Sequence, residues 1–274
     1  MTKRLLIFFL ATFLGSSTVY AQLFGQQHDS LKIMMERIAE TNNLESRNNL
    51  MRDFATYFER ILQQEGSMNY AFDSIPYVGK LASDDGNICI YTWSTLVAWG
   101  RHQYYGILQW RNNDSTFTMS LNDVKRNAEI FDQDIFITPN WYGNLYYQIL
   151  EHRVADQVYY TLLGFEFNNS ITYKKSVDIL HFEDGKPTFG IAVLNDGSSY
   201  MNRLIFEYAS SAQFFMRYLP SKEMIIFNRL IPQRPELSDD KRFYVPSEIC
   251  DGLQFRAGKW EYVRDVMVTK EDME

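Results

Sequence analysis

Cysteine is nearly absent: Cys89 and Cys250 are the two in 274 residues. That excludes the dense disulfide framework of small secreted domains. A single bridge would be allowed outside the cytoplasm. A domain this large needs no staple, however, and two separately buried thiols are the favoured reading. Histidine is scarce too. His28, His102, His152 and His181 each stand alone, without HxH, HExxH or CxxC spacing, so no metal site is expected. GxSxG, GxxxxGK[ST] and GxGxxG are missing, which removes the usual signals for a serine nucleophile or a phosphate cradle. Seven prolines and 14 glycines exclude collagen-like or low-complexity sequence. Clustered basic residues are lacking. Lys174-Lys175 and Lys241-Arg242 are isolated pairs in a chain of net charge −7, so neither nucleic acid nor an anionic membrane is an expected partner.

Long apolar runs are also missing. The run Leu5 to Leu14 (LLIFFLATFL) is half of the about 20 residues a spanning helix needs. It follows Lys3 and Arg4 and precedes Val19-Tyr20-Ala21, the pattern of a secretory signal peptide cut after Ala21. The expected localisation is therefore periplasmic or secreted, with no membrane contact after cleavage. Loss of Lys3 and Arg4 would carry the net charge from −7 to −9.

What the chain has in quantity is aromatic residues, at 16%, including 18 Tyr and 20 Phe. Its organisation is read from periodicity. Leu31, Met34, Met35, Ile38 and Ala39 recur at helical spacing after Asp29 or Ser30, either of which can cap a helix. Met51, Phe54, Ala55, Phe58, Ile61 and Leu62 form a second stripe, ended by Gln64-Glu65-Gly66-Ser67. The spacing predicts a helical hairpin near 29–41 and 45–64, packed by its stripe onto something else.

From Ile75 the period falls to two. Ile75–Leu81 and Asn87–Trp93 read as a hairpin whose Asp85-Gly86 supplies positive backbone angles. Strand-like runs follow at 104–110, 115–121, 145–152, 157–167, 173–182, 188–193, 203–208, 212–219, 223–230, 252–255 and 259–263. Residues 119–131 also fit a short helix capped by Asn122 or Asp123, and 229–241 reads as a long loop. Short turns such as Asn195-Asp196-Gly197 imply antiparallel neighbours. The expected fold is mainly β: an antiparallel meander of about a dozen strands, as a sandwich, barrel or propeller-like array, preceded by the helical hairpin. The expected division is a signal peptide over 1–21, the docked hairpin over 22–66 and the β domain over 67–274.

The runs WYGNLYYQIL (141–150), VYYTLLGFEFNNSITYKKSVDIL (158–180), FEDGKPTFG (182–190), RLIFEYASSAQFFMRY (203–218), KEMIIFNRLIP (222–232) and DGLQFRAGKWEYV (251–263) resemble an uncharacterised family of exported proteins from Bacteroidota-type Gram-negative bacteria. The hairpin SDDGNICIYTW (83–93) is similar to that family's turn-and-strand motif, with Cys89 where a basic residue is usual. The resemblance covers roughly 75–268. It implies compartment and domain unity, and brings no activity and no catalytic residues.

Acidic pairs are the remaining catalytic signal. Asp84-Asp85, Glu183-Asp184 and Asp239-Asp240 lie in turn sequence, where Asp turns the backbone, and neighbours on a strand face opposite ways. No catalytic residues are assigned on that basis. Glu166 and Glu207 sit inside apolar strands, opposite their flanking aromatics. They are expected to face water, and would be the best acid candidates if either faced a cavity. Tyr and Trp offer a second signal: Trp93, Trp110, Trp141 and Tyr142 are the candidate ligand-binding residues, as an aromatic stacking face, against the plainer reading of a Tyr-rich core. The function read from the sequence is an exported, non-enzymatic binding or structural module without cofactor, whose partner is a small ligand, a glycan or an envelope protein. The alternative is an extracytoplasmic hydrolase acting on glycan or peptide through carboxylates.

Overall fold

The computed structural model describes residues 22–98, 100–113, 115–124 and 132–273. The signal-peptide reading falls on residues outside this set. Helix α1 spans 22–40 and α2 spans Leu44–Leu62. The first helix starts well before Asp29. Phe24, His28, Leu31, Met35 and Ile38 continue one buried stripe back toward its start, so Asp29 and Ser30 are interior and do not cap it. The Ser30 hydroxyl instead donates back to the Gln26 carbonyl. The second helix is capped by Asn43, whose side chain accepts from the Ser46 N–H at 2.8 Å. At its other end the Leu62 carbonyl, orphaned by helix geometry, accepts from Gln109 Nε2 (2.9 Å), Thr118 Oγ1 (3.0 Å) and Ser67 Oγ (2.5 Å). Gln109 and Thr118 thereby tie the helix to the sheet beneath it.

The strands are β1 (Gly79–Ala82), β2 (Ile88–Ala98), β3 (Arg101–Asn112), β4 (Ser115–Asp123), β5 (Phe136–Ile137) and β6 (Asn140–Trp141). They continue with β7 (Leu145–Val154), β8 (Gln157–Glu166), β9 (Thr172–Glu183), β10 (Lys186–Phe189), β11 (Leu194–Asn195) and β12 (Tyr200–Met201). The last are β13 (Arg203–Ala209), β14 (Met216–Leu219), β15 (Met224–Pro232), β16 (Tyr244–Arg256) and β17 (Lys259–Val266). They form three sheets: β1-β2-β3-β4-β6, then β5-β10-β9-β8-β7 with β13 also on β9, then β12-β11-β17-β16-β15-β14. Pairing is antiparallel except at β4–β6 and β11–β17. Among the described residues no sheet closes into a barrel.

The sheets stack face to face behind the helices. Cys89, Tyr91, Trp93 and Ile107 of the first sheet pack under Phe54, Phe58 and Ile61. Ile88, Ile90, Leu108 and Trp110, on the opposite face by alternation, pack with Tyr146, Tyr160, Leu162 and Leu180 of the second sheet. The far face of that sheet, with Leu163, Val177, Ile179 and Leu204, meets Ile225, Phe227, Leu253 and Trp260 of the third. Strands buried on both faces explain why so many runs read as continuously apolar. Both cysteines are free and buried, Cys89 beneath the helices and Cys250 on the third sheet's outer face, in different layers.

Other expectations are adjusted. Gly86 takes the positive φ of the first hairpin (67°), but Asp85 does not. Its carboxylate accepts from Ser83 Oγ and the Asn87 N–H instead. Leu121 lies in β4, paired with Gly106, so strand pairing overrides the local cap signal there, while 125–131 lie outside the described residues. Strand β15 runs on to Pro232, and β16 begins at Tyr244, because Leu230, Ile231 and Pro232 pair with Pro246, Val245 and Tyr244. The loop at 229–241 is correspondingly shorter.

Candidate functional site

Three adjacent strands of the second sheet place charged residues in register on one face. Across β8, β9 and β13 the rows are Leu162–Asp178–Arg203, Gly164–Ser176–Ile205 and Glu166–Lys174–Glu207. The first row is sealed in the core. Arg203 and Asp178 pair at 3.0 Å, and neither side chain has exposed surface. Tyr146 donates to Asp178 at 3.1 Å, and the Arg203 guanidinium lies 4.9 Å from the ring centres of both Phe136 and Tyr142. The third row opens onto a cleft of about 1180 Å³ bordered by residues of all three sheets and α2.

The second sheet contributes Glu166, whose Oε2 accepts from the Tyr142 hydroxyl at 2.8 Å. Burial above all, and then Glu166, pushes the Tyr142 hydroxyl well above its usual range, so it remains a donor. Glu207 accepts from Thr172 Oγ1 (2.7 Å) and Asn168 Nδ2 (3.0 Å), and stands 3.9 Å from Lys174. Asp132 borders the same space. Burial pushes its carboxyl up to about 6, although Arg203 pulls the other way, and the Ile205 N–H donates to it.

The first sheet contributes Arg101, His102, Tyr104 and Asp123. Asp123 accepts from the Tyr104 N–H at 3.2 Å and fills the space that a side chain on Gly143 would need. The His102 ring stacks on Phe167 at 4.6 Å, and burial first, then Arg47, lowers its proton affinity.

On the third sheet, register shifts fall between Asn228 and Leu230 on β15 and between Cys250 and Gly252 on β16. Bulges re-aim side chains, and the residues at these two shifts, Arg229 and Asp251, meet in a two-pronged pair (2.9 and 2.5 Å). Arg229 also reaches Asp265 at 2.8 Å, and Tyr262 donates to Asp251. Burial works to raise the Asp251 carboxyl, but these bonds hold it below the usual carboxylate range.

The four aromatic candidates are not brought together. Trp93 is fully buried under the helices, its Nε1 donating to Met51 Sδ at 3.1 Å. Trp110 is buried between the first two sheets and stacked on Phe117. Trp141 is fully buried, donating to the Tyr146 hydroxyl at 3.1 Å. Tyr142, 1% exposed, is the one that borders the cleft. An exposed aromatic strand face built from these residues is therefore corrected: their rings are core packing, and Tyr142 borders the cleft with its hydroxyl bound to Glu166.

Glu166 and Glu207 do lie opposite their flanking aromatics, but they face the cleft rather than open water. Lys174, Asp132, Arg229 and Asp251 were not singled out from the sequence. Arg229 carries the available signal, a charge inside a largely apolar strand. No family model, curated protein or solved structure matches this chain.

Proposed function

We propose that the chain is an exported binding module that takes a polar, multi-ring ligand, a short oligosaccharide, in the cleft between its sheets. The observation that carries this is the cleft itself. Its volume of about 1180 Å³ exceeds the ~300–1,000 Å³ usual for a single small ligand. Its lining combines hydrogen-bonding side chains (Asn168, Glu207, Asp123) with aromatic residues (His102, Phe167 and Tyr244). Sugar rings need both kinds of contact. The apolar run at 5–14 and Val19-x-Ala21 support export, which would leave a mature chain starting at Gln22; the intact mass of the exported protein reads this directly.

A second reading is favoured by one observation. Asp132, titrating at about 6, shares the cleft with Glu166 and Glu207, and a general acid works best near the operating pH. One experiment separates the two. Purified protein is titrated calorimetrically with neutral and acidic oligosaccharides, with the mixture then analysed for shortened chains. Binding without turnover, weakened about tenfold in Glu207→Gln at unchanged melting temperature, is the expected result. Turnover lost in Asp132→Asn would favour the hydrolase, and absence of binding to every saccharide would overturn both.

A further inference from the structure

His152 of β7 stands in the seam between the second and third sheets, near the β7–β8 turn and so at the far end of β8 from Glu166. Its ring stacks on Phe255 of β16 at 4.0 Å and 22°, and meets Trp260 of β17 edge-on at 4.9 Å and 87°. Beside it, Trp260 Nε1 donates across the same seam to Thr161 Oγ1 of β8 at 2.9 Å. Nε2 of His152 is buried and has no hydrogen-bond partner among the described residues. No carboxylate faces the ring. Its pairing partner on β8 is Tyr159, whose hydroxyl donates to Gln157. The His181 ring of β9 lies 6.2 Å from the Tyr159 ring, close to Glu183, and burial lowers its proton affinity too. Glu151 and Arg153 on β7, Arg256 on β16, and Lys259 and Glu261 on β17 alternate to the opposite faces of their strands. Burial is accordingly the one cause acting on His152, and it lowers the ring from the ordinary 6.5 to about 4.

We propose that His152 is an acid-sensitive latch between the second and third sheets: protonation of its ring loosens this end of the seam. An imidazolium has an N–H on both nitrogens. The charged ring would therefore bury a donor at Nε2 with no acceptor, and hold its charge out of water. Stacking on Phe255 attracts a cation, but it supplies no acceptor for that N–H. The plain alternative is a histidine that merely fills space. Phe or Leu could fill this space as well, and only the ring nitrogens make the seam respond to pH. Once the seam opens, the ring meets water and titrates near 6.5, whereas in the closed seam it titrates near 4. The open form takes the proton first as pH falls. Between those values each unit of acidification shifts the closed-to-open ratio toward opening by up to about tenfold. Well above 6.5 the ring is neutral in both forms and the latch holds. Asp132 acts with the opposite sign, so variants at His152 are needed to isolate the latch. The latch goes beyond the cleft-binding reading and is independent of what the cleft holds.

The test is hydrogen–deuterium exchange of the protein at about pH 7 and about pH 5, corrected for the intrinsic pH dependence of exchange. The native chain is compared with His152→Phe, which keeps a ring, and with His152→Leu, which is smaller should Phe overfill the seam. Thermal melts check that each variant folds. The expected result is that acidification lowers protection of 149–153 and 254–261 about tenfold in the native chain and leaves it unchanged in the variants. Equal acid sensitivity in the native chain and the variants would overturn the latch, and so would undiminished protection of the native chain at the lower pH. The ring carbons of His152, followed by NMR through an acid titration, give a reading that needs no variant. A ring that takes up its proton near 6.5 while the seam stays protected would overturn the latch as well.

Discussion

Asp132 is the residue whose charge the fold disturbs most usefully. In the folded chain burial raises its carboxyl from the ordinary 3.8 to about 6. The folded state then holds this proton more tightly than the unfolded chain does, so between those values stability falls as pH rises. Well below 3.8 the carboxyl is neutral in both states and carries no penalty; well above about 6 the penalty is complete. Asn keeps the acceptor for the Ile205 N–H and has no charge to bury. The stability difference between Asp132→Asn and the native chain is therefore expected to grow from pH 4 to pH 6 and then level off, read by denaturant melts across that range. A difference independent of pH would contradict the account. Alternation alone put Glu166 and Glu207 on the face away from their aromatic neighbours, and that part was legible. The partners were not. Arg203 and Asp178 are 25 positions apart in the chain, and only the β9–β13 register sets them 3.0 Å apart. Lys174 between two glutamates likewise depends on two registers at once. A hydrophobic pattern says which face a residue takes, but not which row.

Among the elements, α2 was the most legible. Its stripe of Met51, Phe54, Phe58, Ile61 and Leu62 is the buried face. Helices of this length are marginal alone in water and need such a face covered. Phe58 is fully buried, with its ring 4.9 Å from Tyr91 and 5.9 Å from Phe72. Phe58→Ala is expected to cost about 3–5 kcal/mol in a denaturant melt; a loss below about 0.5 kcal/mol would contradict docking of the hairpin on the first sheet. The start of α1 was less legible, because Asp29-Ser30 resembles a cap while the deciding contacts, Phe24 on Tyr70 and Phe72, come from residues about 46 and 48 positions further on. Close packing inside the sheets was invisible for the same reason. Gly164 carries no side chain because the Asn144 amide occupies that space, held by the Ser176 hydroxyl at 2.5 Å.

At the scale of the molecule, the mainly antiparallel β class with a leading helical hairpin followed from turn spacing and period. The stacking of three sheets did not, since a strand buried on both faces reads the same in a sandwich, a barrel or a stack. The cleft is a product of that stacking: strand ends and a bulged pair from separate sheets line it, and no single stretch of sequence contains it. Its aromatic neighbours drew attention in the sequence because Trp and Tyr are conspicuous there, but their mass goes to the core. The central claim is that one ligand bridges the sheets in this cleft. Hydrogen–deuterium exchange of the protein, with and without a saturating oligosaccharide, tests it most directly. The account predicts ligand-dependent protection at 101–105, 166–168, 205–207 and 227–230 together, one segment or more from each sheet. Protection confined to one sheet, or located at the opposite end of the stack around 156–160 and 181–185, would contradict it.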